Sequence, residues 1–173
     1  MTHGKHESSQ NSRQAEYRKT AVILVVTLLI TAMLLLLLFT QVISVVRYHG
    51  QGMEPYISSG ETLVLLRTRR AEPGDVIAFY YNNQLLVRRI IAEGGQQISI
   101  AEDGVVSVNG TALEEPYISY ASIGQCNLKF PYYIPPDNFF VMGDERTIAM
   151  DSRLKEIGTV SKDRIMGRLL FVM

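Results

Sequence analysis

Three stretches of the chain carry residue types that could form a binding or catalytic site. The first is the glycine-rich segment 50–55, the second is the basic pair Arg88-Arg89, and the third is the charged segment 143–153. Carboxylates and arginines that are buried together form charge-assisted hydrogen bonds, which are stronger than neutral ones. The third stretch contains both kinds of side chain, in Asp144, Arg146, Asp151 and Arg153.

In this order, and behind one long apolar segment, the stretches resemble the sequence boxes of type I signal peptidases. Those boxes read Gly-x-Ser-Met-x-Pro, Lys-Arg-(Val/Ile)-Ile and Gly-Asp-Asn-Arg-x-Asn-Ser-x-Asp-Ser-Arg. This chain matches most of their defined positions at 50–55, 88–91 and 143–153, and it matches a structural Gly-Asp-(Ile/Val) box at 74–76. The resemblance runs from the apolar segment to the C-terminus. It implies a mainly β fold, in which an antiparallel domain of the LexA/signal-peptidase type follows a transmembrane helix.

The positions that would carry the chemistry hold other residues. The resemblance implies a serine nucleophile and a lysine base whose pKa is lowered by burial, but these two positions hold Gly52 and Arg88. Glycine has no side chain, and arginine keeps its proton because its pKa lies above about 12. The position whose serine supports the lysine holds Ala149, whose side chain forms no hydrogen bond. The resemblance therefore implies an inactive protein with an intact scaffold. The scaffold positions are Asp144, Arg146, Asp151 and Arg153, and we expect charge-assisted hydrogen bonds to link them.

A second interpretation is an active signal peptidase that cleaves after Ala-x-Ala with non-standard catalytic residues. It requires a serine and a lysine from outside the replaced positions. The available side chains are Ser44, Ser58, Ser59, Ser119, Ser122 and Ser152 as nucleophiles, and Lys129, Lys155 and Lys162 as bases.

The resemblance also implies a cleft that binds an extended peptide beside a strand, an interaction that needs no nucleophile. The single anchor and short domain are similar to those of Gram-positive signal peptidases, a group in which catalytically silent relatives serve pilus assembly. The implied partners are a secreted precursor or pilin-type protein and the sortase machinery. The expected peptide-binding residues are Gly50, Gly52, Met53, Leu86, Val87 and Arg88.

Composition argues against several other kinds of site. The formal net charge is +0 over 173 residues and no strongly basic region is present, which argues against nucleic-acid binding. The single cysteine, Cys126, excludes an intramolecular disulfide. The three histidines, His3, His6 and His49, form no metal-ligand pattern. We expect neither a metal ion nor a cofactor.

The apolar segment 21–46 predicts a transmembrane helix, since about 20 apolar residues suffice to cross a bilayer. No Ala-x-Ala site follows it, so an uncleaved anchor is favoured over a cleaved signal peptide. The polar residues 1–20 predict a flexible cytoplasmic tail, and residues 48–173 predict an extracytoplasmic domain. Membrane lipid is therefore an expected partner.

Basic residues around the anchor predict its orientation. Positively charged side chains favour the cytoplasmic side of a membrane. We therefore expect the N-terminus in the cytoplasm and the C-terminal domain outside the cell membrane. Tyr17 and Tyr48 flank the anchor, where interfacial aromatic residues are expected. Four basic residues precede the anchor and one follows it: Lys5, Arg13, Arg18 and Lys19, then Arg47.

Runs of β-branched and aromatic residues between turn residues predict an antiparallel β fold, with no long helix outside the anchor. A hairpin is predicted at Asn82-Asn83, and turns are predicted at Asp103-Gly104 and Asn109-Gly110. An irregular loop is expected at 121–136 and a structured connection at 144–158. The predicted strands are 62–66, 75–81, 84–91, 97–100, 105–108, 111–113, 138–142 and 165–172.

Overall fold

The computed structural model describes residues 4–173, with side chains described from Glu16 onward. It contains two compact units, Met1–Gln41 and Val42–Met173. The first unit is formed by one helix, α1 (Gly4–Val42). Its stretch Glu16–Val42, 27 residues with a mean hydropathy of 3.2, is long and apolar enough to cross a membrane.

The helix differs from the sequence prediction at both ends. It begins at Gly4, so residues 4–20 are helical rather than a flexible tail, and residues 1–3 lie outside the described part of the chain. An existing helix extends easily, because each added residue gains a backbone hydrogen bond. At the other end the helix stops at Val42, so residues 43–46 are not part of a transmembrane helix but of a strand. Their β-branched side chains favour that extended backbone.

The second unit contains two antiparallel sheets. The larger sheet has the spatial order β1 (Ile43–Arg47), β2 (Thr62–Leu66), β11 (Ile165–Val172), β3 (Val76–Tyr81), β4 (Gln84–Glu93), β9 (Asn138–Met142) and β10 (Val160–Ser161). The smaller sheet has the order β7 (Thr111–Ala112), β6 (Val106–Val108), β5 (Gln97–Ile100) and β8 (Tyr132–Tyr133). The helical content described in this unit is a short 3₁₀ turn at Lys162–Arg164.

Two-residue turns fix the register of two hairpins. Asn82 and Asn83 adopt φ values of 46° and 61° between β3 and β4, and Tyr81 pairs with Gln84. The Asn109-Gly110 turn, with φ values of 52° and 81°, joins β6 to β7. Both central residues of a type I′ turn need positive φ, which asparagine and glycine adopt most readily. The hairpin predicted at Asn82-Asn83 and the turn predicted at Asn109-Gly110 are confirmed.

Three clusters of buried apolar side chains form the core of this unit. One surrounds Met53 and Leu65, and a second surrounds Phe79 and Phe139. The third draws residues from both sheets and includes Phe140, so it fastens the smaller sheet to the larger one. The loops at 50–55 and 143–153 therefore lie on a well-packed core.

Strand β4 holds the basic pair in the interior of the larger sheet. Residues 84–89 pair with β3, whereas the pairing with β9 begins only at Arg89 and ends at Glu93. Within the described residues, segment 84–88 therefore has a strand partner on one side alone. Arg88 lies at the end of that unpaired edge.

All eight predicted strands are present, and those at 62–66, 97–100, 138–142 and 165–172 have the predicted bounds. Three observed strands, β1, β8 and β10, were not predicted. β8 lies inside the segment 121–136, where an irregular loop was expected. β8 and β10 contain two residues each, too few to show an alternating pattern, and they form because longer strands lie beside them.

Candidate functional site

Two backbone hydrogen bonds hold Tyr48, which lies just before the glycine-rich segment 50–55. The Tyr48 N–H donates to the Glu61 carbonyl at 2.8 Å, and the Tyr48 carbonyl accepts from the Gly60 N–H at 2.8 Å. The tyrosine ring lies against Gly50, where an added Cβ would be 2.9 Å from the hydroxyl oxygen. Glycine at position 50 therefore leaves room for the Tyr48 ring.

The Arg88 guanidinium lies directly against Gly52. A Cβ on Gly52 would be 3.1 Å from Nη2 of Arg88 and 3.2 Å from Nη1 and Cζ. Carbon atoms in ordinary contact are about 3.5–4.0 Å apart. The structure thus brings together the residues at the nucleophile and base positions, and the arginine fills the space that a side chain at position 52 would enter.

Backbone carbonyls hold the Arg88 side chain in place. Its Nε donates to the Met150 carbonyl at 2.9 Å and its Nη1 to the Val87 carbonyl at 2.6 Å. Burial lowers the pKa of Arg88 from the ordinary arginine value, and the charge of the nearby Asp151 opposes that shift. Arginine is nevertheless not deprotonated in proteins, so Arg88 cannot be a general base.

Tyr48 is a third member of this group and was missed as a site residue. Its hydroxyl lies beside the Arg88 guanidinium. Burial raises the pKa of Tyr48, while the charge of Arg88 and hydrogen bonds from Arg88 and from the Gly52 N–H oppose the increase. The phenol is therefore neutral near pH 7. The expectation that Tyr48 lies at the membrane interface was wrong: it is 3% exposed and packs in the core, because the chain enters the sheet before reaching it.

A cleft of about 210 Å³ opens at Gly52 and Arg88. An adjoining cavity of about 400 Å³ shares part of that lining and extends to Arg47 and Gln84. A larger cavity of about 510 Å³, beside Arg69, contains neither Gly52 nor Arg88. The rest of the 210 Å³ cleft is lined by Tyr48, His49, Gly50, Gln51, Leu85, Leu86, Ile148 and Met150.

Two residues expected in the cleft have their side chains elsewhere. Met53 and Val87 are both fully buried in the core cluster that contains Leu65. The alternation of side chains along β4 explains Val87, because its neighbours Leu86 and Arg88 point to the opposite face. Val87 contributes its carbonyl, which accepts the hydrogen bond from Arg88.

Asp151 and Arg153 form the centre of the buried scaffold. Both side chains are 0% exposed, and two hydrogen bonds of 2.9 and 2.8 Å join them. Asp151 also accepts from the Gly143 N–H at 2.9 Å. Arg153 donates to the carbonyls of Ile123 and Arg146 at 2.9 and 2.8 Å. The pair thereby joins the charged segment 143–153 to the loop that precedes β8.

Asp144 and Arg146 find their partners outside the charged stretch. Asp144 accepts from Nε and Nη2 of Arg89 at 2.9 and 2.6 Å, and Arg146 donates to Glu115 at 2.9 and 2.6 Å. Burial raises the pKa of Asp144. Burial alone would lower the pKa of Arg89, but the hydrogen bond to Asp144 raises it overall. No sequence pattern indicates Glu115, because it lies in a different loop.

Arg89 is a structural residue rather than a solvated one. Its guanidinium carbon lies 4.9 Å from the ring centre of Tyr56 and 4.1 Å from that of Tyr117, distances typical of cation–π contacts. Its Nη1 donates to the Gly74 carbonyl at 3.0 Å. Burial raises the pKa of Tyr117, and a hydrogen bond to Glu115 raises it further. The two neighbouring arginines of β4 therefore have different surroundings.

The serines and lysines of the alternative catalytic pair do not meet in the cleft. Among the described residues, no serine or lysine lines it. Ser59 lies next to it, where the hydroxyl accepts from the Gly50 N–H at 3.3 Å, and Ser152 accepts from the Val141 N–H inside the core. The other candidates, none of which lines the cleft, are Ser44, Ser58, Ser119, Ser122, Lys129, Lys155 and Lys162.

The described residues contain no group of three or more His, Cys, Asp or Glu side chains that could hold a metal ion. The buried carboxylates of Asp144 and Asp151 are bonded to arginines instead. Cys126 is a free, partly buried thiol.

The charged segment 143–153 packs closely against the glycine-rich segment 50–55. This packing predicts the effect of Gly143→Ala. A Cβ on Gly143 would overlap the Gly52 carbonyl and the Ala149 methyl group. We expect the substitution to lower the free energy of unfolding by about 1–3 kcal/mol, the usual cost of overpacking. Adding Ala149→Gly should recover only part of that loss, because the overlap with the Gly52 carbonyl remains. Urea denaturation of the single and double variants measures both effects, and full recovery would contradict the predicted overlap.

Comparison with known proteins identifies the family of the chain. The family model for signal peptidase, peptidase S26, matches residues 19–173. Signal peptidase IB of Staphylococcus aureus (strain COL) is 29% identical over 143 residues, covering 70% of this chain and 73% of that protein. Signal peptidase I T of Bacillus subtilis (strain 168) is 29% identical over 136 residues, covering 71% of this chain and 69% of that protein.

A solved structure shows the same fold. It is the crystal structure of a signal peptidase I from Enterococcus faecalis V583, with a TM-score of 0.50 and 24% identity, covering 60% of this chain and 99% of that one. The match of the family model over most of the chain shows the relationship itself. The chain belongs to the signal peptidase family, peptidase S26.

Proposed function

We propose that this family member is a membrane-anchored, non-catalytic protein that binds secreted precursors and assists the assembly of pili or other surface proteins. The observation that supports this most directly is the contact between Arg88 and Gly52, with Nη2 only 3.1 Å from the point where a Cβ would begin. Peptide hydrolysis by this family's chemistry needs a nucleophile and a neighbouring base. Neither residue supplies one.

Peptide binding does not need those groups, and two features of the domain support it. Apolar side chains of Leu85, Leu86, Ile148 and Met150 line the cleft. The adjacent edge of β4, residues 84–88, has no strand partner on that side among the described residues. An extended peptide can add to such an edge through its backbone, while apolar pockets bind its side chains.

The apolar rim of the cleft gives a direct test of binding. Ile148 is 49% exposed on the rim and belongs to none of the three core clusters, so Ile148→Asp changes the cleft with little effect on the fold. We expect it to weaken binding of an extended apolar peptide about tenfold, because burying an aspartate against apolar groups is unfavourable. Fluorescence anisotropy with the full-length protein in detergent micelles measures the dissociation constant.

Val105→Asp is the matched control for this test. Val105 is 41% exposed, also apolar, and does not line the cleft. We expect its variant to bind the peptide like the unchanged protein. Equal losses in the two variants, or no loss in either, would place peptide binding outside this cleft.

The orientation in the membrane is part of the proposal. The stretch Glu16–Val42 can span a bilayer, and the greater number of basic residues on its N-terminal side supports a cytoplasmic N-terminus. Protease added to spheroplasts should therefore digest the domain that begins at Tyr48 and leave the N-terminal residues protected. Mass spectrometry of the protected fragment tests this, and protection of the whole domain would reverse the proposed orientation.

The proposed partners are a secreted pilin-type precursor and the sortase machinery, on the basis of the family resemblance. Deletion of the protein should reduce pilus polymer at the cell surface while cleavage of signal peptides from other exported proteins continues. Immunoblots of cell-wall extracts and of exported proteins measure the two effects. Accumulation of uncleaved preproteins in the deletion strain would instead support a peptidase function.

A further inference from the structure

The buried arginines of the domain differ in one respect. Three of them each share two hydrogen bonds with a carboxylate: Arg89 with Asp144, Arg146 with Glu115 and Arg153 with Asp151. Arg88 is 5% exposed, yet within residues 16–173 it forms no ion pair with any carboxylate. A buried charge without an opposite charge is unfavourable, so this arginine lacks the partner that the others have.

The nearby carboxylate cannot serve as that partner. Asp151 influences Arg88 through its charge, but its oxygens already accept from Nε and Nη2 of Arg153, from the Arg153 N–H and from the Gly143 N–H. Arg88 itself donates to two carbonyls, whereas a guanidinium has five N–H groups. The guanidinium is also hydrogen-bonded to the Tyr48 hydroxyl, and its remaining donors lie beside Gly52, at the cleft.

We propose that Arg88 binds a carboxylate of the peptide that occupies the cleft, and that this carboxylate is the free C-terminal end of the peptide chain. The inference rests on the proposed peptide-binding function of the same site. A carboxylate accepts two parallel hydrogen bonds from a guanidinium, as the three other buried arginines show in this domain.

The shape and lining of the cavities support a chain end as ligand. The cleft at Arg88 and the adjoining cavity share Leu85 and Leu86, so together they follow β4 away from the arginine. A peptide can place its terminal carboxylate at Arg88 and its apolar side chains along the two leucines. Every peptide chain has a C-terminal carboxylate, and an endopeptidase creates a new one when it hydrolyses a peptide bond. An internal Asp or Glu side chain is the other source of the same group.

Three labelled peptides distinguish these sources on the full-length protein in detergent micelles. The first is fluorescein-Leu-Leu-Ala-Leu-Ala with a free carboxylate, the second is the same peptide with a C-terminal amide, and the third is fluorescein-Leu-Leu-Asp-Leu-Ala-amide. We expect the free acid to bind at least about tenfold more tightly than either amide, because hydrogen bonds between charged groups are the strong ones. Arg88→Met should remove the difference between acid and amide, and Arg88→Lys should keep part of it.

The outcomes separate this inference from the proposed function. Equal binding of the acid and its amide to the unchanged protein would overturn carboxylate recognition and leave peptide binding in place. Tight binding of the Asp-containing amide would overturn the preference for a chain end. Failure of all three peptides to bind would overturn both proposals. The comparison of acid with amide is made on the unchanged protein, so it does not depend on how the Arg88 variants fold.

Discussion

We expect cleavage of a preprotein after Ala-x-Ala to be at least about a hundredfold faster in a combined variant than in the unchanged chain. The combined variant carries Gly52→Ser, Arg88→Lys and Ala149→Ser. We expect the unchanged chain to show background cleavage only. The combined variant supplies a hydroxyl nucleophile, an amine whose pKa burial can lower to that of a base, and a hydroxyl to orient the amine. The surrounding scaffold is already in place, because Asp151 and Arg153 form their buried pair without help from the replaced positions.

Each of the three substitutions alone leaves cleavage at background. Gly52→Ser places its side chain against the Arg88 guanidinium, which stands 3.1–3.2 Å from the new Cβ and cannot accept a proton. Arg88→Lys provides a base without a nucleophile. Groups that act as a unit have strongly non-additive effects, so the gain appears only in combination.

Gel analysis of a purified preprotein, with mass spectrometry of the product ends, measures this gain. Circular dichroism of each variant provides the folding control. Site-specific cleavage by the unchanged chain would contradict the proposed loss of catalysis. A well-folded combined variant without any gain would show that the cleft no longer holds a substrate in a reactive position.

Local patterns predicted the strands of the β domain, because strand signals are repeated over several residues. Asn82 and Asn83 predicted a hairpin, since few other residues adopt positive φ at both central positions of a turn. The end of the helix was harder to predict. Three of the residues 43–46, Ile43, Val45 and Val46, are apolar and β-branched, so the segment suits a membrane helix as well as a strand. Pairing with β2 decides between the two.

Four of the residues expected in the cleft line it, Gly50, Gly52, Leu86 and Arg88, whereas the side chains of Met53 and Val87 lie in the core. The matched boxes placed Gly52 next to Arg88, and the structure gives their contact. The burial of Tyr48 between Gly50 and Arg88 could not be predicted, since a tyrosine after an apolar segment is also typical of a membrane interface. Glu115 was missed for a similar reason, because a pair between distant loops leaves no spacing pattern in the sequence.

Arg153→Met produces the largest loss of stability among the variants considered, about 3–5 kcal/mol in the free energy of unfolding. The substitution leaves the Asp151 carboxylate buried without its partner, at 0% exposure, and removes the donors to four backbone carbonyls. The loss is comparable to a large part of the stability of a typical domain, about 5–15 kcal/mol. Arg69→Met is the matched control, because the ion pair of Arg69 with Asp163 is 71% and 80% exposed. That control should cost less than about 1 kcal/mol, as exposed pairs do.

Urea denaturation of the full-length protein in detergent, followed by tyrosine fluorescence, compares the two variants. Adding Asp151→Asn to Arg153→Met should cost less than the sum of the single losses, because the second substitution removes the charge that the first left unpaired. Additive losses would mean that the two side chains act separately. Equal losses of unfolding free energy for Arg153→Met and Arg69→Met would mean that the buried pair stabilises the domain no more than the exposed one. The buried pair is then not what keeps the charged stretch beside the cleft, and the contacts of Gly143 with Gly52 and Ala149 would have to hold it there.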